Sequence, residues 1–306
     1  MTYVVGYAPD ERGKAALHLA AMLARSSGED LVVCSAVPSP WFPSMARVDA
    51  EYHAYLDQQA DDALAAARAN LPPDVSAEFV RHRARSAPTG ILEVADEREA
   101  ALIVLGSSSA GVFGHVALGS VTDRLLHSSP RPIALATRGF RAKTGATVRR
   151  ATVAYGGSEA ADELVVASAA VAARMGASLR LATFEVWSRP DYTTRLGTEG
   201  EDPVLLEWLG EMRGAAQEAL KAVRDLHDVP HDLEAVVGAG ASWAEAIEDI
   251  EWDEGDVLVL GSITLGPIAR VFLGSRATKI VRHSPVPVAV LPSAAAEELA
   301  EQARPS

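Results

Sequence analysis

The sequence is poor in cysteine and in aromatic residues. Cys34 is the single cysteine among 306 residues, so neither an intrachain disulfide nor a cluster of thiolate metal ligands can form. It lies in the apolar run LVVCSAV, a context typical of a small residue in a buried strand. Aromatic residues account for 6% of the chain and hydrophobic residues for 48%. We therefore expect cores built mainly from alanine, valine, leucine and isoleucine.

The sequence also lacks an excess of positive charge and any long apolar run. Its net charge of −13 would be repelled by nucleic acid and by an anionic membrane surface. No apolar run approaches the roughly 20 residues that span a bilayer. The N-terminal MTYVVGYAPD has no basic segment followed by a long apolar stretch, as a signal peptide would. These absences predict a cytoplasmic protein without nucleic-acid or membrane partners.

What the sequence does contain is two copies of one motif. The segment ALIVLGSSSAGVFGHVALGSVTDRLLHSSPRPIALAT begins at Ala101, and VLVLGSITLGPIARVFLGSRATKIVRHSPVPVAVLP begins at Val257. They align without gaps at a constant spacing of 155 positions, which indicates an internal duplication. The recurring pairs are Gly106 and Gly261, Gly119 and Gly274, Ser120 and Ser275, Pro130 and Pro285, and Pro132 and Pro287.

Each half alternates short apolar runs with amphipathic segments of helical length. Loops are predicted at about residues 39–55 and 188–203, and helices at about 56–70 and 204–227. The runs ALIVLG and VLVLG are continuously apolar, as expected of central strands buried on both faces. Alternating strands and helices imply parallel βαβ units. The sequence therefore predicts an α/β fold: two tandem, doubly wound, five-stranded parallel-sheet domains of Rossmann-like type.

The domain boundaries follow from the repeat. We predict a first domain at residues 1–140, a basic linker at 141–149, a second domain at 150–293 and an acidic, polar tail at 294–306. The segment RGFRAKTGATVRR around the linker carries five basic residues and no acid. Its place between the repeats favours a solvated connection over a binding arm. The tail is expected to be an exposed helix or a disordered end.

Each motif leads from a buried strand into a helix that starts near Gly119-Ser120 or Gly274-Ser275. Free backbone N–H groups at a helix start attract anions, and the helix dipole adds to this. Glycine lets the backbone approach a phosphate closely, and a serine hydroxyl can donate one more hydrogen bond. The same residue types also fit an ordinary turn with a serine cap. Both interpretations are open at this point.

The glycine and serine spacing resembles that of the universal stress protein family. Members that bind ATP carry G-x-x-G, nine residues and G-[S/T] after the fourth strand, and the family ending S-x-x-P-V-x-V is similar to SSPRPIAL and HSPVPVAV. The resemblance covers nearly the whole chain in tandem form. It implies an adenine-nucleotide α-hydrolase-like fold and ATP, AMP or ADP as ligand. It also implies that the two domains pair through their last strands, here SPRPIALAT with SPVPVAVLP, and are related by an internal pseudo-two-fold, with a further homodimer as an open alternative.

The chain departs from the family pattern at two places. The second motif glycine is replaced in both copies, by Ser109 and Thr264, and the Asp expected after strand one is absent from both copies. One occupied site, two or none are therefore open. The candidate nucleotide-binding residues are Gly106, Ser109, Gly119, Ser120 and Val121 in the first copy, and Gly156, Gly157, Ser158, Gly261, Thr264, Gly274 and Ser275 in the second.

Three functions are compatible with these residues. The first is a stress-response module that binds ATP or a related adenine nucleotide through loop backbone and serine. The second is an interaction protein whose nucleotide sites have decayed. The third is a slow ATPase, which is disfavoured because no lysine, metal-binding carboxylate or water-orienting residue for phosphoryl transfer can be identified. We therefore expect a binding protein rather than an enzyme, with no catalytic residue and no metal site.

Overall fold

The computed structural model describes residues 2–39, 46–187, 203–265 and 270–304. Both halves alternate strands and helices, which confirms the predicted α/β class. The first half contains, in order, β1 Thr2–Gly6, α1 Glu11–Ser27, β2 Asp30–Pro38, α2 Ala46–Asn70, β3 Ala77–Ala84, α3 Ala87–Glu97, β4 Leu102–Gly106, α4 Ser120–Ser128 and β5 Ile133–Ala136. The second half contains β6 Arg150–Ala154, α5 Glu159–Arg174, β7 Ser178–Val186, α6 Pro203–Arg224, β8 Leu233–Gly240, α7 Trp243–Glu248, β9 Asp256–Leu265, β10 Arg270–Phe272, α8 Ser275–His283, β11 Val288–Pro292 and α9 Ser293–Ala303.

The strands of both halves form one sheet. Its order is β3-β2-β1-β4-β5 in the first half, continuing as β11-β9-β6-β7-β8 in the second, with β10 paired to β9. Pairing is parallel within each five-stranded unit, whereas β5 and β11 pair antiparallel through Leu135 with Val288 and Ile133 with Val290. The last strands thus join the halves about the internal pseudo-two-fold, and the carboxyl ends of their parallel strands point in opposite directions.

The helices cover the sheet in two layers. Helices α1, α2, α5, α6 and α9 contribute to one hydrophobic cluster, and α3, α4, α7 and α8 contribute to the other. Neighbouring residues of one strand alternate between the clusters, as Val4 and Val5 do, because successive side chains point to opposite faces. Both clusters include residues of both halves. The core is therefore continuous across the join.

Helix α1 shows how local sequence sets the element boundaries. The Asp10 carboxylate accepts hydrogen bonds from the Arg12 and Gly13 backbone N–H groups at the helix start. The helix ends where Gly28 takes a φ of 74° and its N–H donates to the Ala24 carbonyl, a left-handed conformation that costs glycine little. Both ends of α1 are thereby fixed next to β1 and β2.

A buried ionic cluster lies at the amino ends of β6, β7 and β9. The Asp256 carboxylate accepts a hydrogen bond of 2.6 Å from Arg150 and lies 3.6 Å from the Arg180 guanidinium. Arg180 also lies 4.9 Å from the centroid of the Trp252 ring and donates to the Glu251 carbonyl at 2.7 Å. Because the charge is buried and Arg150 is close, the pKa of Arg180 is lowered.

The linker and the tail pack against the domains. The Val148 side chain is buried, and its N–H donates to Ser26 Oγ at 2.7 Å. Arg25 donates to the Ala146 carbonyl at 3.2 Å. The expectation of a solvated linker is thus wrong at Val148, since part of the segment covers α1. The tail expected to be exposed or disordered forms α9, which packs on α5 with Ala296 and Ala300 buried.

The helix predicted from residue 56 begins earlier, at Ala46. No side chain between residues 51 and 59 is buried, so the apolar periodicity that marks α2 starts only at Ala60. The remaining residues predicted to lie in loops, 40–45 and 188–202, lie outside the described residues. In the part of the chain that is described, no helix combines the length and apolarity that crossing a membrane requires.

Candidate functional site

A cleft in the first half, which we call the first cleft, lies at the carboxyl ends of β1, β2 and β4. Strand β1 lies between β2 and β4, so the chain order reverses at this point, where ligands of open α/β sheets bind. The cleft has a volume of about 380 Å³. Residues that line this first cleft include Gly6, Tyr7, Arg12, Cys34, Val37, Gln59, Ile91, Leu105, Gly106, Ser108, Gly119, Ser120, Val121 and Thr122.

The helix start predicted to hold an anion opens into the first cleft. Gly119 is the residue before α4, with extended backbone, and no side chain caps the helix. Helices α1, α3, α5 and α7, in contrast, are capped by Asp10, Ser86, Ser158 and Ser242. The N–H groups of the first turn of α4, at Ser120 and the two residues after it, are therefore available to a ligand.

Gly106 has a packing requirement of its own. A Cβ atom at this position would lie 2.1 Å from the Arg12 carbonyl oxygen, so only glycine lets the start of α1 cross the end of β4. The equivalent Cβ at Gly261 would lie 3.3 Å from Leu164. The first motif glycine therefore brings α1 to the rim of the first cleft, whether or not a ligand contacts it.

The serines after Gly106 have different environments. Ser109, predicted from the motif, is exposed and is not among the described residues that line the cleft, whereas Ser108 is. Ser107 is buried; its hydroxyl accepts from the Ala117 N–H at 2.5 Å and donates to the Ala117 carbonyl at 3.2 Å. Ser107 thereby closes the neck of the loop. The motif spacing gave no sign of Ser107 or Ser108, because it marks one residue of a run of three serines.

Sequence reasoning also missed Arg12, the single charged residue among the described residues that line the first cleft. Its guanidinium is bound to the Asp10 carboxylate, with 2.7 Å between Nε and Oδ2. Partial burial works to raise the pKa of Asp10, but hydrogen bonds from Arg12 and the Gly13 N–H hold this pKa below its usual value. Asp10, the acid nearest the end of β1, is thus occupied in capping α1 and binding Arg12.

Cys34 contributes apolar surface to the first cleft. It is fully buried, and burial raises the pKa of its thiol to about 12. The thiol therefore stays protonated at neutral pH and is a poor nucleophile. Together with Val37, Ile91 and Leu105 it gives the cleft an apolar wall, which suits a flat apolar ring better than a charged group.

The corresponding second cleft is smaller, at about 190 Å³. Gly156, Gly157 and Gly261 line it. Ser158 caps α5 through a hydrogen bond of 3.3 Å from the Ala161 N–H, and Gly274 and Ser275 form the uncapped start of α8. None of Ser158, Gly274 and Ser275 is among the described lining residues. The Thr264 side chain lies outside the described part of the chain.

Two matched pairs of lining residues differ in charge between the clefts: Val37 and Glu185, and Val121 and Arg276. The Tyr7 N–H donates to the Cys34 carbonyl, and the Tyr155 N–H donates to the Ala182 carbonyl in the same way. Counting three residues on along each strand, Val37 of the first cleft corresponds to Glu185 of the second. Arg276, at the start of α8, lies 3.8 Å from the Glu185 carboxylate. The second cleft therefore carries an acid that would oppose a phosphate.

The described residues contain no group of three or more His, Cys, Asp or Glu side chains arranged to hold a metal ion.

The family model and relatives of similar sequence point to the same protein family. The model of the universal stress protein family matches residues 1–136 and again residues 147–292. A universal stress protein of Mycobacterium tuberculosis (strain H37Rv) and one of Mycobacterium bovis are each 38% identical to this chain over 296 residues, which cover 95% of this chain and 100% of each relative.

Solved structures agree on the fold. A universal stress protein from Archaeoglobus fulgidus superimposes with a TM-score of 0.59 at 17% identity, covering 95% of this chain and 98% of that chain. A putative universal stress protein from Pseudomonas aeruginosa gives 0.55 at 14% identity, covering 98% and 96%. At these identities the likeness is one of fold.

Proposed function

The chain belongs to the universal stress protein family, and on that premise we propose that it is a stress-response module that binds an adenine nucleotide in the first cleft. ATP is the ligand of first choice, with ADP and AMP as related ligands. The apolar wall of Val37, Ile91 and Leu105 would hold the adenine ring. Phosphate would lie at Gly119 and Ser120.

The observation that carries this proposal is the uncapped start of α4 beside the larger cleft. Most of the other described helices that follow a strand are capped by side chains. An uncapped helix start where the strand order reverses has free N–H groups that can bind an anion. The volume of about 380 Å³ also lies within the range of about 300–1,000 Å³ that is usual for ligand pockets.

The second repeat supports the proposal less well. Its cleft of about 190 Å³ is below that range, and Glu185 adds a negative charge where the first repeat has Val37. Arg276 is already paired with this carboxylate. We propose that nucleotide occupies the first cleft and that the second repeat acts mainly as its structural partner.

A binding role is favoured over hydrolysis by the residues that line the first cleft. None of the described lining residues is acidic, and a metal-assisted phosphoryl transfer would use a carboxylate to hold the metal and a positioned group to orient water. Single-turnover incubation with labelled ATP tests this directly. Phosphate release that depends on Gly119 would instead establish an ATPase.

The proposal is tested by retention and titration of nucleotide. Purified protein is denatured and the supernatant examined by mass spectrometry for released adenine nucleotide, and nucleotide-free protein is titrated with ATP by calorimetry. Ser120→Glu places a carboxylate at the first turn of α4, where it stabilises the helix but repels phosphate. We expect this variant to lose at least about tenfold in ATP affinity.

Ser275→Glu is the matched control, because it makes the same change at the start of α8 in the second repeat. It should leave ATP affinity within about twofold of the wild type. Absence of both retained nucleotide and ATP binding would overturn the proposed function. Equal losses in the two variants would show that the second repeat binds as well.

A further inference from the structure

A separate cavity of about 310 Å³ lies where the two halves meet. Its lining includes three pairs of residues that correspond in the two repeats, each pair being 155 positions apart in the sequence. The cavity therefore lies on the internal pseudo-two-fold, and we call it the interdomain pocket. The pairs are Leu118 and Leu273, Asp123 and Thr278, and His127 and Arg282.

The interdomain pocket adjoins the first cleft. Gly119 and Ser120 line both of them. Because β5 and β11 pair antiparallel, the two repeats, and with them α4 and α8, run in opposite directions. As a result, Arg282 in the last turn of α8 lines the same cavity as the first turn of α4. A cation of the second half thus faces the phosphate end of the first cleft.

Arg282 is the uncommitted cation at this place. Its side chain is exposed and has no acidic partner among the described residues, whereas Arg12 in the first cleft is bound to Asp10. The opposing charge is that of Asp123, whose carboxylate is exposed and lies 3.9 Å from His127. Replacing Asp123 would therefore make the pocket more favourable to an anion, and replacing Arg282 would make it less so.

Resting on the proposed function, we infer that Arg282 is a specificity residue that receives the terminal phosphates of a nucleoside triphosphate bound in the first cleft. The nucleotide would then bridge the two halves, with its base and first phosphate on the first half and the end of its phosphate chain against the second. On this inference a monophosphate held at Ser120 ends short of Arg282 and gains nothing from it. Arg282 would therefore distinguish a nucleoside triphosphate from a monophosphate by the length of the phosphate chain.

The test compares ATP and AMP in calorimetric titrations of the full-length chain at one magnesium concentration. We expect Arg282→Gln to weaken ATP binding about threefold to tenfold, as for loss of one charge-assisted hydrogen bond at an exposed site, and to leave AMP binding unchanged. Asp123→Asn should strengthen ATP binding more than AMP binding, because Asp123 lies in the first turn of α4 as well as in the interdomain pocket. Arg282→Lys should restore part of the ATP affinity, since it keeps the charge.

Lys279→Gln is the matched control. It removes one positive charge from the same helix, but Lys279 lies over the Trp243 ring, 5.8 Å from its centroid, and is not among the described residues of the interdomain pocket. Its ATP and AMP affinities should match the wild type. If Arg282→Gln weakens ATP and AMP equally, or no more than Lys279→Gln does, the inference is wrong while the proposed function stands. If the wild type binds neither nucleotide, the proposed function is wrong, and the inference about Arg282 is wrong with it.

Discussion

Asp256 holds two arginines at the amino ends of the second-half strands, and it is almost fully buried, with 1% of its side chain exposed. Removing one partner of a buried ion pair leaves the other charge uncompensated, at a cost of about 3–5 kcal/mol. We expect Asp256→Ala to lower the free energy of unfolding by about this amount, because Arg180 would remain buried without an acid. Urea denaturation of the purified variant measures the change.

Asp253 provides the comparison for that experiment. It also pairs with Arg150, at 3.1 Å, but 74% of its side chain is exposed. Asp253→Ala should therefore cost less than about 1 kcal/mol. A similar loss of stability in both variants would mean that the cluster does not depend on the buried carboxylate.

The lowered pKa of His18, on α1, predicts the sign of one contribution to the pH dependence of stability. Burial, together with Arg141, lowers the pKa of His18 below the usual histidine value of about 6.5. The unfolded chain therefore binds this proton more readily than the folded chain, so stability falls as pH decreases through about 6.5 toward the folded pKa. His18→Gln should show a shallower loss of stability between about pH 7 and 5, measured by thermal denaturation.

The exposed His227 serves as the control, since 85% of its side chain is exposed. His227→Gln should reproduce the wild-type pH dependence. If His18→Gln follows the wild-type curve as well, the proton uptake of the unfolded chain comes from other groups.

Among the elements, α9 is the one whose packing differs most from expectation. Its Ala300 side chain is fully buried against α5, and a carboxylate there would lose its hydration without a partner. Ala300→Asp should destabilise the protein by at least about 2 kcal/mol. Ala294→Asp makes the same change at an exposed position of the same helix and should be nearly neutral in the same denaturation assay, so equal effects would argue against docking of α9.

The elements that could be predicted are those whose signal is local. Strands β4 and β9 could be predicted because burial on both faces requires a continuous apolar run of a few residues. The starts of α4 and α8 could be predicted because the Gly-Ser pair at a helix start is repeated in the sequence. The first turns of α2 and the docking of α9 left no such mark. In α2, residues 51–59 are not buried, so no apolar periodicity marks them. The alanines of α9 show their role only because α5 packs against that helix.

The candidate site was predictable only in part, for a similar reason. The spacing identified Gly119 and Ser120, which the structure places at the first cleft. It gave no indication that Asp10 would bind Arg12, or that Val37 and Glu185 would occupy matched positions in the two clefts. Those relations depend on which strand ends lie side by side, and a single sequence does not contain that information.

At the scale of the whole molecule, the β5–β11 pairing covers an edge in each half. A fragment of residues 1–140 would lose β11 and expose the hydrogen-bonding edge of β5, whose IALA residues are all buried in the full chain. Such an edge pairs readily with another copy. We expect this fragment to form a dimer, measured by light scattering coupled to size-exclusion chromatography. A strictly monomeric, folded fragment would contradict this expectation.

Covalent fusion of the two copies also changes what mutation can achieve. In a symmetric dimer of identical chains every substitution appears twice, so an arginine beneficial at one rim is forced onto the other. Here the position of Arg282 is His127 in the other repeat, and that of Glu185 is Val37. Because both copies lie in one chain and pair through β5 and β11, the molecule has the geometry of a symmetric pair while each half can carry changes that the other does not share.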